Sequence, residues 1–422
     1  SSESWASQQQ CTIKTKFNAD IIVDALMGIG AEGTIKGMTR SAIDKINQTE
    51  KPVLSLDIPS GLNANTGTPC GIAVHAKATI TFIGLKCGLL TGDGPDYVGQ
   101  VILETLGVKK PLYQKVCANI HVLNNGFIAK KLPRRRRNAN KGDYGHVLII
   151  GGNYGMGGSV RMAAEAAMRV GAGLVTIATR PEHIASIHGS IPESMCYAVA
   201  NIEDLKPLLV RSRVIVIGPG LGKSDWSKSL LHCILDNSDQ LKVVDADALN
   251  LLAEMHYQTP REDWILTPHP GEAARLLKQS VSEVQSDRFA AVQNIQHHYG
   301  GVVVLKGCGS LVQINQDDVS ICCAGNPGMA TGGMGDVLSG VLGGLLAQHL
   351  TLVDAACVGV QLHARAADAA AEDGGERGLL ASDLFTYLRY WSNAFPIRHP
   401  GRHGLQHLGG CRHFGGLSEP LD

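Results

Sequence analysis

The stretch GHVLIIGGNYGMGGSVRMAAEAAMRVGAGLVTIA, residues 145–178, decides the fold. HVLII (146–150) and LVTIA (174–178) are apolar runs of strand length set off by glycine. Between them GSVRMAAEAAMRV (158–170) is Ala-rich with helical spacing, which suits close packing on a sheet. Strand, helix and strand in succession predict a parallel pair joined by a crossover helix. Further strands are predicted at 214–217, 242–245 and 302–305, with helices at 336–349 and 355–372. Five strands with helices between them predict a doubly wound α/β domain over residues 142–390.

Upstream, IIVDALM (21–27), VLSLDI (53–58) and TITFIG (79–84), with a helix at 41–47, predict a partial Rossmann-like α/β domain over residues 1–131. LPRRRRNANK (132–141) breaks the pattern and reads as a linker. Its arginines are expected to be a solvated connector, because 38 Lys and Arg balance 38 Asp and Glu over the chain. That neutrality removes the global electrostatic case for nucleic acid or an anionic membrane. From residue 391 the sequence loses periodicity and predicts an irregular tail. His399, His403, His407 and Cys411 recur every four residues there, but Pro400 and the glycines argue against a ligand-bearing helix.

At 422 residues, two or three domains are expected. Fifty glycines without a collagen repeat suggest many tight strand-to-helix turns and backbone-lined ligand sites. Eleven cysteines without a C-x-x-C pair favour reduced thiols and a cytoplasmic location. No apolar run approaches the ~18 residues of a membrane span. The opening SSESWASQQQ lacks a signal peptide's apolar core and reads as a processed or incomplete beginning.

Gly28-Ile29-Gly30-Ala31-Glu32-Gly33 follows a strand in the G-x-G-x-x-G pattern, and Asp57 ends the next strand, a weak dinucleotide-type signal. Asp24, inside an apolar run, requires a partner or a metal. In the second domain Gly218-Pro219-Gly220-Leu221-Gly222 follows a strand and permits close ligand approach. Either Asp245 and Asp247 hold Mg²⁺ through water, or Asp247 caps a helix. His269 stands between Pro268 and Pro270, a rigid presentation of an imidazole. Lys306-Gly307-Cys308-Gly309-Ser310 combines a cation, glycines and a hydroxyl, suited to phosphate. The strongest signal is Asn326-Pro327-Gly328-Met329-Ala330-Thr331-Gly332-Gly333-Met334-Gly335-Asp336, running into a helix. Its glycines free backbone N–H groups for an anion, and the helix dipole adds positive potential. Asp336 beside that anion reads as a general base for an attacking hydroxyl, with an N-cap as the plainer alternative.

GDYGHVLIIGG, VIGPGLG, DADALNLL, TPHPGEAARLL, VVVLKG and NPGMATGGMGDVLSG, in that order over residues 141–388, resemble the ADP-dependent NAD(P)H-hydrate dehydratases of the ribokinase-like superfamily. VDALMGIG, LDIPSGLNANTG and TFIGLKCGLLTGDG, over residues 20–122, resemble the NAD(P)H-hydrate epimerases. The resemblance implies a repair enzyme for hydrated nicotinamide cofactors, NADHX and NADPHX, using ADP with Mg²⁺ and releasing AMP and phosphate. It implies Asp336 as the base and hydrate contacts at Ala163, Gly220, Gly222, His269, Pro270, Gly271, Glu272, Arg275 and Asp336. It implies ADP contacts at Lys306, Gly307, Cys308, Gly309 and Ser310. It also implies them at Asn326, Gly328, Met329, Thr331, Gly332, Gly333, Met334 and Gly335. In the epimerase-like part it implies a K⁺ site at Asp24 and Ser60 and a hydrate site at Gly28, Gly30 and Asp57. No Asn-Asn-Gly-Gly-Asp-type loop precedes Asp20, so a partial epimerase domain without epimerase activity is expected. Ser310 stands where the family pattern suggests Thr, with the hydroxyl kept. A homo-oligomer is expected, with no nucleic acid or membrane partner. A small-molecule kinase of the same superfamily, carrying a non-catalytic N-terminal binding module, is the alternative.

Overall fold

The computed structural model describes residues 19–393, apart from positions 114, 117, 238 and 258. The expected irregular tail and its His/Cys series lie outside the described residues. The described chain forms two compact units, divided between Ala118 and Asn119. The division falls earlier than the linker expected at 132–141. Residues just past it pair with the second sheet, as described below.

In the first unit, β1 (Ile22–Asp24), β2 (Val53–Leu56), β3 (Ala78–Phe82) and β4 (Gln100–Glu104) form a four-stranded sheet in sequence order. All three pairings are parallel. The helix Gly37–Asn47 buries Ile43 and Ile46 in a core with Ile22, Val53 and Val74. Asp24 lies opposite Ser55 in the register, at the carboxyl end of β1.

The second unit holds β5 (Ile120–Val122), β6 (His146–Ile150), β7 (Leu174–Thr179), β8 (Met195–Ala198) and β9 (Val214–Ile217). It continues with β10 (Leu241–Val244), β11 (Trp264–Leu266), β12 (Val302–Leu305), β13 (Ser310–Gln313) and β14 (Val319–Cys322). The order in the sheet is β5-β14-β13-β12-β11-β10-β9-β6-β7-β8. Strands β6 to β12 run parallel, β12-β13-β14 alternate direction, and β5 pairs parallel with β14. The sheet is therefore mixed and has twice the five strands expected. The additional strands are short, such as β11, half-exposed, such as β8, or stabilised mainly by a neighbour, such as β5. Each lacks the long apolar run that marks a buried parallel strand.

β6 is flanked by β9 and β7, so the chain winds one way through β7 and β8 and the other way from β9 onward. Between β6 and β9 the loops at the carboxyl ends diverge, and open α/β sheets bind ligands in that crevice.

Two helices cross over this point, Gly157–Arg169 and Met334–Ala347. A Cβ on Gly340 would lie 2.0 Å from the Ala163 carbonyl, and one on Gly344 2.7 Å from that of Ala167. The i, i+4 spacing puts both glycines on one face, against two alanines at the same spacing. Gly340→Ala is expected to destabilise the protein by about 1–3 kcal/mol, because backbone cannot yield as a side chain can. Gly332→Ala, with open space at its Cβ, is the control and should melt like the parent. No helix among the described residues is long and apolar enough to cross a membrane.

Candidate functional site

The crevice is built first from backbone. The N–H of Gly152, after β6, donates to the Pro219 carbonyl at 3.0 Å, and that of Asn153 to Gly220 at 2.7 Å. Gly218, Gly220 and Gly222 have φ of 127°, 55° and 69°, a region L side chains rarely adopt. A Cβ on Gly218 would also strike the Asp245 carbonyl at 1.8 Å. The Gly222 N–H donates to Asp247 Oδ2 at 2.8 Å. Asp247 thus secures the glycine turn instead of capping its helix, whose N-cap is Asp245.

Beside it four charged side chains converge from four elements. Asp245 follows β10, Lys306 follows β12, Glu272 lies in the helix Pro270–Leu277, and Asp336 lies in the helix Met334–Ala347. Lys306 Nζ is 2.7 Å from Asp245 Oδ1 and 3.7 Å from Glu272 Oε2. Asp245 also accepts the Thr267 hydroxyl at 2.8 Å and the Ser339 hydroxyl at 2.6 Å. Burial would push the Asp245 carboxyl up, but Lys306 and these hydroxyls outweigh it and hold it below the usual carboxylate range. Burial likewise opposes the Lys306 ammonium, yet Asp245 and Glu272 hold its pKa above the ordinary lysine value. Glu272 is buried, and that burial raises its pKa against the pull of Lys306.

Asp336 behaves differently. Its carboxyl is pushed up to about 6, first by burial and then by the Asp245 charge, against a hydrogen bond from Ser159. The N-cap of its helix is Gly333 at φ 91°, which places Asp336 in the first turn, third from the start. The capping alternative is therefore corrected. A half-buried carboxylate titrating near neutrality at a helix N-terminus is suited to accept a proton from a bound hydroxyl.

His269 does cap a helix. Its Nδ1 accepts from the Gly271 N–H at 2.9 Å and the Glu272 N–H at 3.3 Å, while Glu272 Oε2 accepts the His269 backbone N–H at 2.7 Å. Its imidazole pKa is lowered by burial and then by Lys306 and Arg275, so the neutral ring needed for this cap is favoured. Arg275 is tied to Asn250 at 2.8 Å. Ala163 is fully buried in the helix crossing, so its place is in the packing against Gly340, not in the open cleft.

On the expected nucleotide side, the Ser310 hydroxyl closes the turn after β12 by donating to the Gly307 carbonyl at 2.9 Å. Buried Arg288 braces that turn from behind, donating to the Leu305 and Lys306 carbonyls at 3.3 and 3.4 Å. Asn326 Oδ1 accepts the Gly328 N–H at 3.0 Å, and Asp368 takes the Gly325 N–H at 3.1 Å. The Thr331 hydroxyl donates to the Gly328 carbonyl at 3.2 Å. Gly332 has open space around it, and a Cβ on Gly335 would sit 3.4 Å from Lys306 Nζ. The glycine-rich segment thus leads from open backbone directly to the charged cluster. Ser159, Arg288 and Asp368 carried no motif, and Thr267 and Ser339 had no assigned role within theirs, since their roles depend on partners remote in sequence.

In the first unit Asp24 is buried, accepting the Ser55 hydroxyl at 2.8 Å and the Ser60 hydroxyl at 2.6 Å. It also accepts the Ser60 N–H at 2.8 Å. The two expected potassium contacts are thus bonded to each other and lock the loop after β2. Asp57 follows β2 with φ 68°, costly for a residue with a side chain. It pairs with Lys86 and accepts the Phe82 N–H at 3.1 Å, and these bonds hold its carboxyl below the usual range although burial opposes them. Gly28 and Gly30 are exposed with open space around them.

Among the described residues no group of three or more His, Cys, Asp or Glu could hold a metal ion. Both Asp245 oxygens are engaged by protein donors, so the expected Mg²⁺ has no protein-built cage here.

The family model for NAD(P)H-hydrate dehydratase matches residues 147–389, and that for the YjeF-related protein N-terminus matches residues 2–88. The chain is 56% identical to the bifunctional NAD(P)H-hydrate repair enzyme of Coxiella burnetii, covering 89% of this chain and 77% of that one. To its Escherichia coli counterpart it is 45% identical, over 88% and 71% of the two chains. The crystal structure of the ADP/ATP-dependent NAD(P)H-hydrate dehydratase from Bacillus subtilis, co-crystallized with ATP and Mg²⁺, superposes with a TM-score of 0.58. It is 28% identical and covers 65% of this chain and 98% of its own. With a doubly wound sheet, a glycine-lined crevice and relatives over most of its length, this chain belongs to the family of bifunctional NAD(P)H-hydrate repair enzymes.

Proposed function

We propose that the second unit dehydrates NAD(P)H hydrate at the expense of a nucleotide, with Asp336 as general base. The observation that carries this reading is Asp336 itself, raised to about 6 at a helix N-terminus that opens from a run of glycines. Asp336 takes the proton of the ring hydroxyl as its oxygen attacks the terminal phosphorus of ADP, releasing AMP. Phosphate then leaves, and the neighbouring ring carbon gives up a proton to solvent, so that its C–H electron pair re-forms the ring double bond. Lys306, the Gly307–Ser310 turn and the open backbone before Gly333 receive the phosphates. Mg²⁺, travelling with the nucleotide, neutralises phosphate charge. No step rests on protein ligands to it. The same geometry would serve a small-molecule kinase, and the family relationship favours the hydrate.

The test is recovery of the reduced-nicotinamide absorbance band from hydrated NADH or NADPH by the purified chain. ADP is expected to give a higher kcat/KM than ATP. Recovery with neither nucleotide would overturn the reading, and ATP matching ADP would overturn the donor preference. For the first unit the finer reading is hydrate binding at the carboxyl edge near Asp57. Interconversion of the two hydrate epimers without nucleotide measures whether the unit also catalyses that step.

A further inference from the structure

Arg180, directly after β7, has a guanidinium that is oriented but carries no ion pair among the described residues. Its guanidinium lies between two aromatic rings, 4.1 Å from the Trp226 centroid and 4.6 Å from that of Tyr154. Trp226 is nearly buried and anchored by its indole N–H to the Val199 carbonyl at 2.9 Å. Arg180 Nε donates to Asn153 Oδ1 at 3.0 Å. Asn153 is itself fixed, because its Nδ2 donates to the Ser224 hydroxyl at 3.1 Å and His183 Nε2 lies 3.1 Å from its carbonyl. Among the described residues no carboxylate pairs with Arg180, and its two Nη groups have no acceptor. The fork is oriented on both faces and along one edge, while its remaining edge is free.

The bonded edge adjoins the crevice. Asn153 bonds to Gly220 through its backbone, and its amide lies 2.9 Å from where a Cβ on Gly222 would stand. Gly222 in turn is bonded to Asp247, whose charge is felt by Asp336. A continuous line of contacts thus runs from Arg180 along the floor of the crevice towards the base. It leaves from the side opposite β12, where Lys306 and the Gly307–Ser310 turn stand. A guanidinium fork is shaped for two oxygens of one phosphate group, and aromatic stacking keeps it in place without neutralising it.

We propose that Arg180 is an anion anchor of the substrate side, binding a phosphate of the hydrated dinucleotide. The proposal rests on the dehydratase reading. Charge-assisted hydrogen bonds of this kind correspond to about a 10- to 100-fold change in affinity. In Arg180→Gln, KM for the dinucleotide hydrate is expected to rise by about that factor, with kcat and the KM for ADP near the parent values. A second substrate, the hydrate of phosphate-free reduced nicotinamide riboside, keeps the test decisive if the variant is less stable. A general loss of active protein lowers kcat/KM for both substrates alike. Loss of a phosphate contact lowers the dinucleotide-to-riboside ratio by about 10- to 100-fold. An unchanged ratio, or a matching rise in the ADP KM, would overturn the proposal. If the parent protein dehydrates no hydrate at all, the functional reading fails instead.

Discussion

Replacing Asp336 by Asn is expected to lower kcat by about 10²–10⁴-fold while nucleotide binding survives. The backbone of the glycine-rich segment and the helix terminus supply the anion site, and neither is touched by the change. Stability should move in the opposite direction to activity. A carboxyl whose folded pKa is raised contributes stability below its unfolded pKa, and that contribution is lost as pH rises through about 6. Above that pH the parent carries a half-buried negative charge that repels Asp245, and Asn does not. Asp336→Asn should therefore melt at or above the parent temperature at pH 8, the difference vanishing towards pH 4. In the parent, kcat/KM should climb with pH through about 6, as the base loses its proton, and then level off. Near-normal turnover of the variant would send the search for a base elsewhere. A melt well below the parent's would show that Asp336 is structural.

Asp245→Asn is the second large effect, and it separates support from chemistry. Asp245 is fully buried and holds Lys306, Thr267 and Ser339 together. Removing one partner of a buried ion pair typically costs about 3–5 kcal/mol. For a unit of this size that is a fall in Tm of roughly 6–20 °C. The variant also removes the negative charge that, after burial, raises Asp336. The acid limb of the kcat/KM profile should accordingly shift to lower pH. Instability without that shift would mean that Asp245 acts on the fold alone, and an unchanged melt would mean that the ion pair contributes little.

Much of the second unit was legible because its strands are long apolar runs and its ligand loops are glycines at strand ends. β6, β9 and β12 stand where the periodicity placed them, and Asp336 follows its glycine run as read. Less legible were β5, β8 and β11, which owe their strand state to neighbours. His269 illustrates the same limit within the site. Between two prolines it read as a presented imidazole, yet its Nδ1 is used by its own helix. Arg180 and Asn153 carried no signal, because nothing local distinguishes a stacked, oriented guanidinium from a solvated one.

By itself the sequence determined the alternation of strand and helix, the parallel sheet that follows from it, and the glycine turns at the carboxyl ends of its strands. These are consequences of short-range periodicity and backbone freedom, which each segment carries alone. Only the tertiary structure set the electrostatic state of its two central carboxylates. Asp245 and Asp336 are the same residue type, one held ionised by Lys306 and two hydroxyl hydrogen bonds, the other raised towards neutrality. The difference comes from burial and from charges brought together across sequence separations of 61 and 94 residues, as in the bonds of Lys306 and Ser339 to Asp245. Electrostatic energy depends on distance and surroundings in the folded state, and no local reading of either aspartate contains them.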